Sequence, residues 1–132
     1  MEDSELIQVA SEALGAAYAP YSKFRVGAAV LTHEGEVYSG CNIENASFGL
    51  TICAERAALF AAAGRGRRKI DKVVIVGEKA DRPPYPCGAC LQVMSEFGVR
   101  TVIVGTMGGP FKTYEFAELL PRPFRLRGSE EG

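Results

Sequence analysis

The sequence predicts an α/β fold, a three-layer sandwich in which a mixed β-sheet carries helices on its faces. Strand and helix patterns alternate after an early hairpin, which favours a mixed sheet with helices packed on it. Two strand patterns are continuously apolar, as in buried strands. The length of 132 residues suits a single domain over 1–132, with a frayed tail at about 128–132.

The N-terminal part predicts a helix followed by a hairpin. Apolar residues recur at helical spacing over 6–17, Ser4 can cap this helix, and Pro20 ends it. Two β-rich runs separated by a turn predict the hairpin, and they cover 25–32 and 36–40.

The rest of the chain alternates between helix and strand patterns. The expected elements are a helix over 53–63, a strand over 70–76, a helix over 88–97, a strand over 101–104 and a short helix over 115–120. The proline-rich segment 81–86 is expected to be a loop. Cys53 starts the first of these helices, and Cys87 and Cys90 start the second.

Composition and charge exclude several classes of protein. A net charge of −1 provides no general attraction to nucleic acid or to an anionic membrane. No apolar run is long enough to span a bilayer, and the acidic start over 1–5 is unlike a signal peptide. Four cysteines in such a chain indicate thiols or metal ligands rather than a disulfide framework. We therefore expect a cytoplasmic protein that binds neither nucleic acid nor membrane.

Two cysteine motifs, Cys53-Ala54-Glu55 and Pro86-Cys87-Gly88-Ala89-Cys90, carry the strongest functional signal. Taken alone, Cys87 and Cys90 could be a redox pair, and Cys53 could be a small buried hydrophobe. Together with Glu55, the motifs match a catalytic zinc site, in which three protein ligands leave the fourth tetrahedral position open. We expect one Zn²⁺ per subunit.

The expected zinc ligands, and the charge around them, depend on the few other ligand and cation residues that the chain offers. His33 is the only histidine, and its place in a turn favours a solvated side chain, so the three cysteines must hold the zinc. Three thiolates over-neutralise the ion and weaken it as a Lewis acid. Two helix N-termini and Arg56, which can donate to a thiolate, are expected to offset this charge. The alternative for Arg56 is a solvated surface charge.

Glu55 is interpreted as the proton carrier. Zinc can lower the pKa of a bound water to about 7, and Glu55 would shuttle protons between that water and a substrate. The alternative is an acidic residue that only stabilises the first turn of its helix.

These residues resemble the small cytidine deaminase type of pyrimidine nucleoside deaminase. The similarity covers nearly the whole chain in order and spacing. The matching segments are 18–24 (YAPYSKF), 26–29 (VGAA), 40–46 (GCNIENA), 53–56 (CAER), 86–90 (PCGAC) and 118–121 (ELLP). The zinc motifs alone would indicate only the deaminase superfamily. Phe24 and the segment 42–45 narrow the resemblance to deaminases that act on nucleosides.

The resemblance implies a set of substrate contacts. Asn42 and Glu44 would hydrogen-bond the sugar hydroxyl, Phe24 would line the sugar and base pocket, and the backbone of Ala54 would meet the base. The alternatives are ordinary loop chemistry for the two polar residues and a core position for the aromatic one.

The resemblance also implies a homotetramer with shared active sites. Phe48 and Phe124 would be contributed to the site of a neighbouring subunit. The chain departs from the family where Leu91 follows Cys90, because the family commonly carries arginine there. A second cation beside the thiolates is therefore absent, and Arg56 must offset more of their charge.

Two further features have simple interpretations. The basic run over 64–69 could bind phosphate or RNA, but its place after a helix stop favours a solvated loop. Cys41 has no partner motif and is interpreted as a buried free thiol.

The activity implied by the resemblance is hydrolysis of cytidine and 2′-deoxycytidine to uridine and 2′-deoxyuridine with release of ammonia, as in pyrimidine salvage. One alternative is a deaminase of a cytosine nucleoside antibiotic, against which Phe24 and the segment 42–45 argue. Another is a non-catalytic module with a structural zinc, against which Glu55 and the open coordination position argue. An RNA-binding relative is disfavoured because the chain lacks a basic surplus.

Overall fold

The computed structural model describes residues 1–126, so Arg127 and the tail expected at 128–132 lie outside the described residues. Helices and strands follow one another in nearly the predicted order. They are α1 (Asp3–Leu14), β1 (Val26–Thr32), β2 (Val37–Cys41), α2 (Ala54–Gly64), β3 (Ile70–Gly77), α3 (Gly88–Glu96), β4 (Thr101–Thr106), β5 (Phe111–Glu115) and α4 (Phe116–Leu119). A 3₁₀ turn, Phe48–Leu50, precedes α2.

The strands form one mixed sheet in the order β2-β1-β3-β4-β5. β3 and β4 are parallel, and the other neighbouring pairs are antiparallel. α3 connects the parallel pair, because parallel neighbours need a crossover rather than a tight turn. The predicted mixed sheet is confirmed.

Helices cover both faces of this sheet. α1 packs on one face with Val74 and Val76 of β3, and α2 and α3 pack on the other face with Val73 and Ile75. Alternate residues of β3 therefore enter different cores, since side chains alternate across a strand. All four are fully buried, which explains the continuous apolar pattern of this strand. The three-layer sandwich is confirmed.

Three local features differ from the sequence prediction. Glu2 rather than Ser4 occupies the N-cap of α1, and its backbone N–H donates to Glu5 Oε1 at 2.9 Å. α1 ends at Leu14, where Gly15 forms its C-cap, and does not extend to the end of the apolar pattern. β5 was not predicted, because its sequence mixes polar and apolar residues at an exposed sheet edge.

Gly27 and Gly40 let the helices approach the sheet closely. A Cβ at Gly40 would lie 2.6 Å from the nitrogen of Ala58 and 3.0 Å from the oxygen of Ala54, both in α2. A Cβ at Gly27 would lie 2.1 Å from the oxygen of Ala10 in α1. These are contacts with helix backbone, so rotation of a side chain cannot relieve them. Gly40 therefore sets the depth at which α2 rests on the sheet.

Candidate active site

Three cysteine side chains meet at the N-termini of α2 and α3. Cys53 and Cys87 are the N-cap residues of these helices, and Cys90 follows in the first turn of α3. Their sulfur atoms all lie within 4.8 Å of one another, and the sulfurs of Cys87 and Cys90 are 3.7 Å apart. Tetrahedral zinc with Zn–S bonds of about 2.3 Å needs sulfurs about 3.8 Å apart. The cluster therefore fits Zn²⁺, as the sequence predicts.

Arg56 supplies positive charge beside these thiols. Its Nη2 donates to Cys53 Sγ at 3.3 Å, and this bond raises the pKa of the guanidinium. Hydrogen bonding from Cys90, assisted by Arg56, lowers the pKa of Cys53, whereas the same contact with Cys53 raises the pKa of Cys90. The N-termini of α2 and α3 favour thiolates in addition, because their first N–H groups have no intrahelical partner.

Leu91 adds no charge to the cluster. It packs into the core between the helices and the sheet, and only 9% of it is exposed. Within residues 1–126, Arg56 is the cationic side chain that hydrogen-bonds to one of the three cysteines. The Nε of Arg56 is buried and has no hydrogen-bond partner in that range.

Glu55 is a carboxyl group in an almost fully buried position. It is 4% exposed, and burial raises its pKa to about 7. Its place in the first turn of α2, directly after Cys53 and Ala54, holds it beside the thiols. A carboxyl group whose pKa lies near neutrality can both accept and release a proton at pH 7.

One cleft of about 200 Å³ is lined by Cys53, Cys87 and Glu55, whereas Cys90 is buried behind it. Its lining residues are Phe24, Val26, Asn42, Thr51, Ile52, Cys53, Ala54, Glu55, Pro84, Tyr85 and Cys87. The fold thus brings three of the expected substrate contacts, Phe24, Asn42 and Ala54, to the proposed proton carrier. The aromatic ring of Phe24 also lies under the guanidinium of Arg82, at 5.3 Å from its centroid.

Asn42 is held by two hydrogen bonds to the backbone. Its Oδ1 accepts from the N–H of Val26, and its Nδ2 donates to the carbonyl of Phe24, each at 2.9 Å. The amide thereby fixes the chain as it enters β1. One N–H of Nδ2 remains to donate to a ligand in the cleft.

Glu44 is fixed in a similar way but lines a different cavity. Its carboxylate accepts from the N–H groups of Tyr21 and Ser22 and from the Ser22 hydroxyl, and this hydroxyl bond is the main cause that lowers the pKa of Glu44. The neighbouring cavity of about 430 Å³ contains Glu44 and Phe48. Thr51 borders both cavities, so Glu44 lies beside the cleft rather than in its wall.

Two expected contacts, Phe48 and Phe124, lie outside the cleft of their own chain. Phe48 is 77% exposed and packs edge-on against Tyr21, with ring centroids 6.3 Å apart. Phe124 is 69% exposed, and its carbonyl accepts from Gln92 Nε2 at 3.0 Å. Phe124 lines another cavity together with Phe97.

Several lining residues were missed by the sequence prediction. Thr51 and Ile52 immediately precede Cys53, and Pro84 and Tyr85 precede Cys87. Their closeness to the ligands was the available signal. Their orientation toward the cleft depends on how the two loops fold over it, which no local pattern shows.

The remaining sequence interpretations have mixed outcomes. His33 is largely exposed and contacts Asp71, in keeping with a solvated side chain. Cys41 is a free thiol, as expected, but it is half-buried rather than buried.

The basic run is a loop, as expected, but one of its cations is not free in solvent. Arg67 forms a bidentate ion pair with Glu36. Between residues 1 and 126, no helix is long and apolar enough to cross a membrane.

Comparison with known proteins adds independent information. A family model described as the cytidine and deoxycytidylate deaminase zinc-binding region matches residues 1–106. A cytidine deaminase of Halalkalibacterium halodurans is 47% identical over 126 residues, which cover 94% of this chain and 95% of that protein. A blasticidin-S deaminase of Bacillus cereus is 31% identical over 127 residues, which cover 91% of this chain and 90% of that protein.

The structural comparison agrees with the sequence comparison. The crystal structure of a cytidine deaminase from Burkholderia pseudomallei matches with a TM-score of 0.88 and 46% identity, covering 94% of this chain and all of that chain. The fold and the cysteine cluster are thus those of the zinc-binding deaminases. The chain belongs to the cytidine and deoxycytidylate deaminase family.

Proposed function

We propose that this protein is a cytidine deaminase that converts cytidine and 2′-deoxycytidine, with water, to uridine and 2′-deoxyuridine and ammonia. One observation carries the proposal: the buried carboxyl of Glu55 shares one cleft with two of the three cysteines of a cluster that fits zinc. The names of the relatives support the substrate. Pyrimidine salvage in the cytoplasm is the proposed setting, and the four free cysteines are compatible with a reducing compartment.

Cys53, Cys87 and Cys90 would hold one zinc ion in each subunit. When bound, the ion supplies Lewis acidity and lowers the pKa of water in the cleft to about 7. Arg56 reduces the negative charge of the thiolates through its bond to Cys53, which preserves that acidity.

Glu55 moves the protons of the reaction. Its carboxylate accepts one proton from the attacking water and passes it to the ring nitrogen next to the reacting carbon, as the new carbon–oxygen bond forms. It then accepts the second proton, from the hydroxyl now on that carbon, and delivers it to the exocyclic amine. The carbon–nitrogen bond breaks, the amine leaves as ammonia, and the carbon keeps the oxygen as a carbonyl. Burial keeps the pKa of Glu55 near the pH at which both transfers must occur.

The substrate contacts follow from the groups that remain free. Asn42 retains one N–H for a sugar hydroxyl, Phe24 provides an aromatic wall, and Ala54 presents backbone at the base of the cleft. Glu44 still has lone pairs that can accept from a sugar hydroxyl reaching past Thr51.

A homotetramer with shared sites is part of the proposal. Phe48 and Phe124 are strongly exposed aromatic residues outside the cleft of their own chain. Exposed aromatic side chains of this size are typical of interfaces. Both would complete the site of a neighbouring subunit.

A deaminase of a cytosine nucleoside antibiotic is the second candidate, favoured by the relative named blasticidin-S deaminase. Steady-state rates of purified protein with cytidine and with blasticidin S separate the two candidates. We expect turnover of cytidine that a chelator abolishes and zinc restores. A higher rate with blasticidin S than with cytidine would favour the second candidate.

The Glu55→Ala variant separates both enzymes from a non-catalytic zinc module. It retains all three ligands, so it should bind one zinc per chain and lose nearly all deamination. Turnover close to that of the parent would contradict the assigned role of Glu55.

A further inference from the structure

Tyr85 and Tyr114 form a hydrogen-bonded pair next to the cleft. Their hydroxyl oxygens are 3.0 Å apart, and their rings meet edge to face with centroids 6.0 Å apart. Tyr85 lines the cleft, whereas Tyr114 belongs to β5 and lies outside its lining. The pair therefore links the wall of the cleft to an edge strand that contributes nothing else to the site.

The loop that carries Tyr85 packs on the cleft through buried Pro84 and through Arg82 over the Phe24 ring, but it makes few hydrogen bonds to the rest of the chain. It covers residues 79–86 between β3 and α3, and three of its eight residues are prolines without an N–H. Its backbone hydrogen bonds, donated by Arg82 and Tyr85, are accepted within the loop itself. In the part of the chain that the structure describes, the Tyr85–Tyr114 bond is the only hydrogen bond from this loop to another element.

Tyr114 is the better anchored member of the pair. Its side chain is half-buried against the main core, and the ammonium of Lys112 lies 5.1 Å from its ring centroid. Tyr85 is 57% exposed and stands between two prolines, which restrict the backbone but not the ring. A ring in this position rotates between staggered conformations unless something holds it.

We propose that Tyr114 is a positioning residue of the active site. Its hydroxyl holds the Tyr85 ring as one wall of the cleft, and through the short connection to Cys87 it steadies that ligand. The wall function rests on the proposed deaminase activity, whereas the effect on Cys87 depends only on metal binding. A pair that merely stabilised the surface would affect neither.

The test removes single hydroxyl groups while keeping the rings. Tyr114→Phe, Tyr85→Phe and the double variant are compared with Tyr38→Phe as the matched control. The Tyr38 hydroxyl also makes one hydrogen bond, to Glu36 Oε1 at 2.8 Å, but this residue does not line the cleft. The measurements are kcat and KM for cytidine, the Kd for uridine by calorimetry, and the rate of zinc transfer to a chelator.

We expect Tyr114→Phe and Tyr85→Phe to raise KM and the uridine Kd by about 2- to 10-fold, the range of one net hydrogen bond. Zinc transfer should accelerate by a similar factor, and kcat should change less than about twofold. The double variant should be no worse than the worse single variant, because both changes remove the same bond. Tyr38→Phe should leave all three quantities at parental values.

Two results would overturn the inference. One is a Tyr114→Phe variant that matches Tyr38→Phe in uridine affinity and zinc transfer. The other is a double variant in which the single effects multiply, since the hydroxyls would then act separately. Should the parent fail to deaminate cytidine, the zinc-transfer rates still decide the positioning role, so the two proposals fail independently.

Discussion

Gly40→Ala should impair the active site from a position that has no contact with substrate. The new methyl carbon would lie 2.6 Å from the backbone nitrogen of Ala58, whereas ordinary contact begins at 3.4 Å. α2 would therefore have to move by 3.4 − 2.6, about 0.8 Å, away from β2. Cys53 is the N-cap of that helix, and Glu55 lies in its first turn.

The size of the effect follows from this displacement. Overpacking of this kind costs about 1–3 kcal/mol of folding free energy. A misplacement of about 1 Å can cost about 10²-fold in rate, so we expect a loss of about 10- to 100-fold in kcat and weaker zinc binding. The assay is kcat per zinc-loaded chain, measured below the unfolding midpoint of each variant.

Gly27→Ala is the matched control. Its new methyl carbon would lie 2.1 Å from the backbone oxygen of Ala10 in α1. This helix carries no site residue. The variant should lose at least as much stability as Gly40→Ala while the folded, zinc-loaded fraction keeps a kcat within about threefold of the parent. Equal kcat losses in the two variants would refute the argument that Gly40 acts through the position of α2.

Four further outcomes are expected. Burial raises the pKa of Glu55 from 4.5 to about 7, so in zinc-free protein this group binds more protons folded than unfolded, and its presence lowers stability as pH rises through that window. Zinc-free Glu55→Gln should therefore exceed the parent by about 3 kcal/mol in urea unfolding at pH 8 and by little at pH 4; a constant difference would contradict the buried charge. Cys87→Ala should reduce zinc content measured by mass spectrometry, and a stoichiometric ion would remove this residue from the ligand set. Arg56→Gln should shift the acidic limb of the kcat–pH profile upward, because less thiolate charge is offset; an unshifted profile would show that Arg56 does not tune the metal. Phe124→Ala should raise KM, and activity per chain should fall on dilution together with the mass measured by light scattering; a fully active monomer would exclude the shared site.

The candidate metal ligands and the proposed proton carrier could be picked out from sequence because their chemistry is local. The spacing of Cys87 and Cys90 places two sulfurs on one helical turn whatever surrounds them. The residues Cys53 and Glu55 are likewise defined by side-chain types that few other functions require together. The apolar run of β3 predicted a strand covered on both faces for a similarly local reason.

Packing decided what the sequence left open. β5 exists because β4 offers an edge to pair with, and no periodicity in its own residues shows this. The meeting of Cys53 with Cys87 depends on α2 and α3 lying side by side on one face of the sheet. The burial that raises the pKa of Glu55 also depends on packing, because desolvation is set by all the groups around the carboxyl and not by its position in the chain.

The sequence by itself determined which residues could bind zinc and carry protons, because identity and spacing are enough to specify ligand chemistry. Only the tertiary structure showed that Asn42 spends two of its hydrogen bonds on the backbone, that Glu44 lies beside the cleft, and that Tyr114 reaches the loop before Cys87. Each of these contacts joins segments far apart in the chain. Their geometry is set by the packed sheet and helices, so no local pattern could contain it.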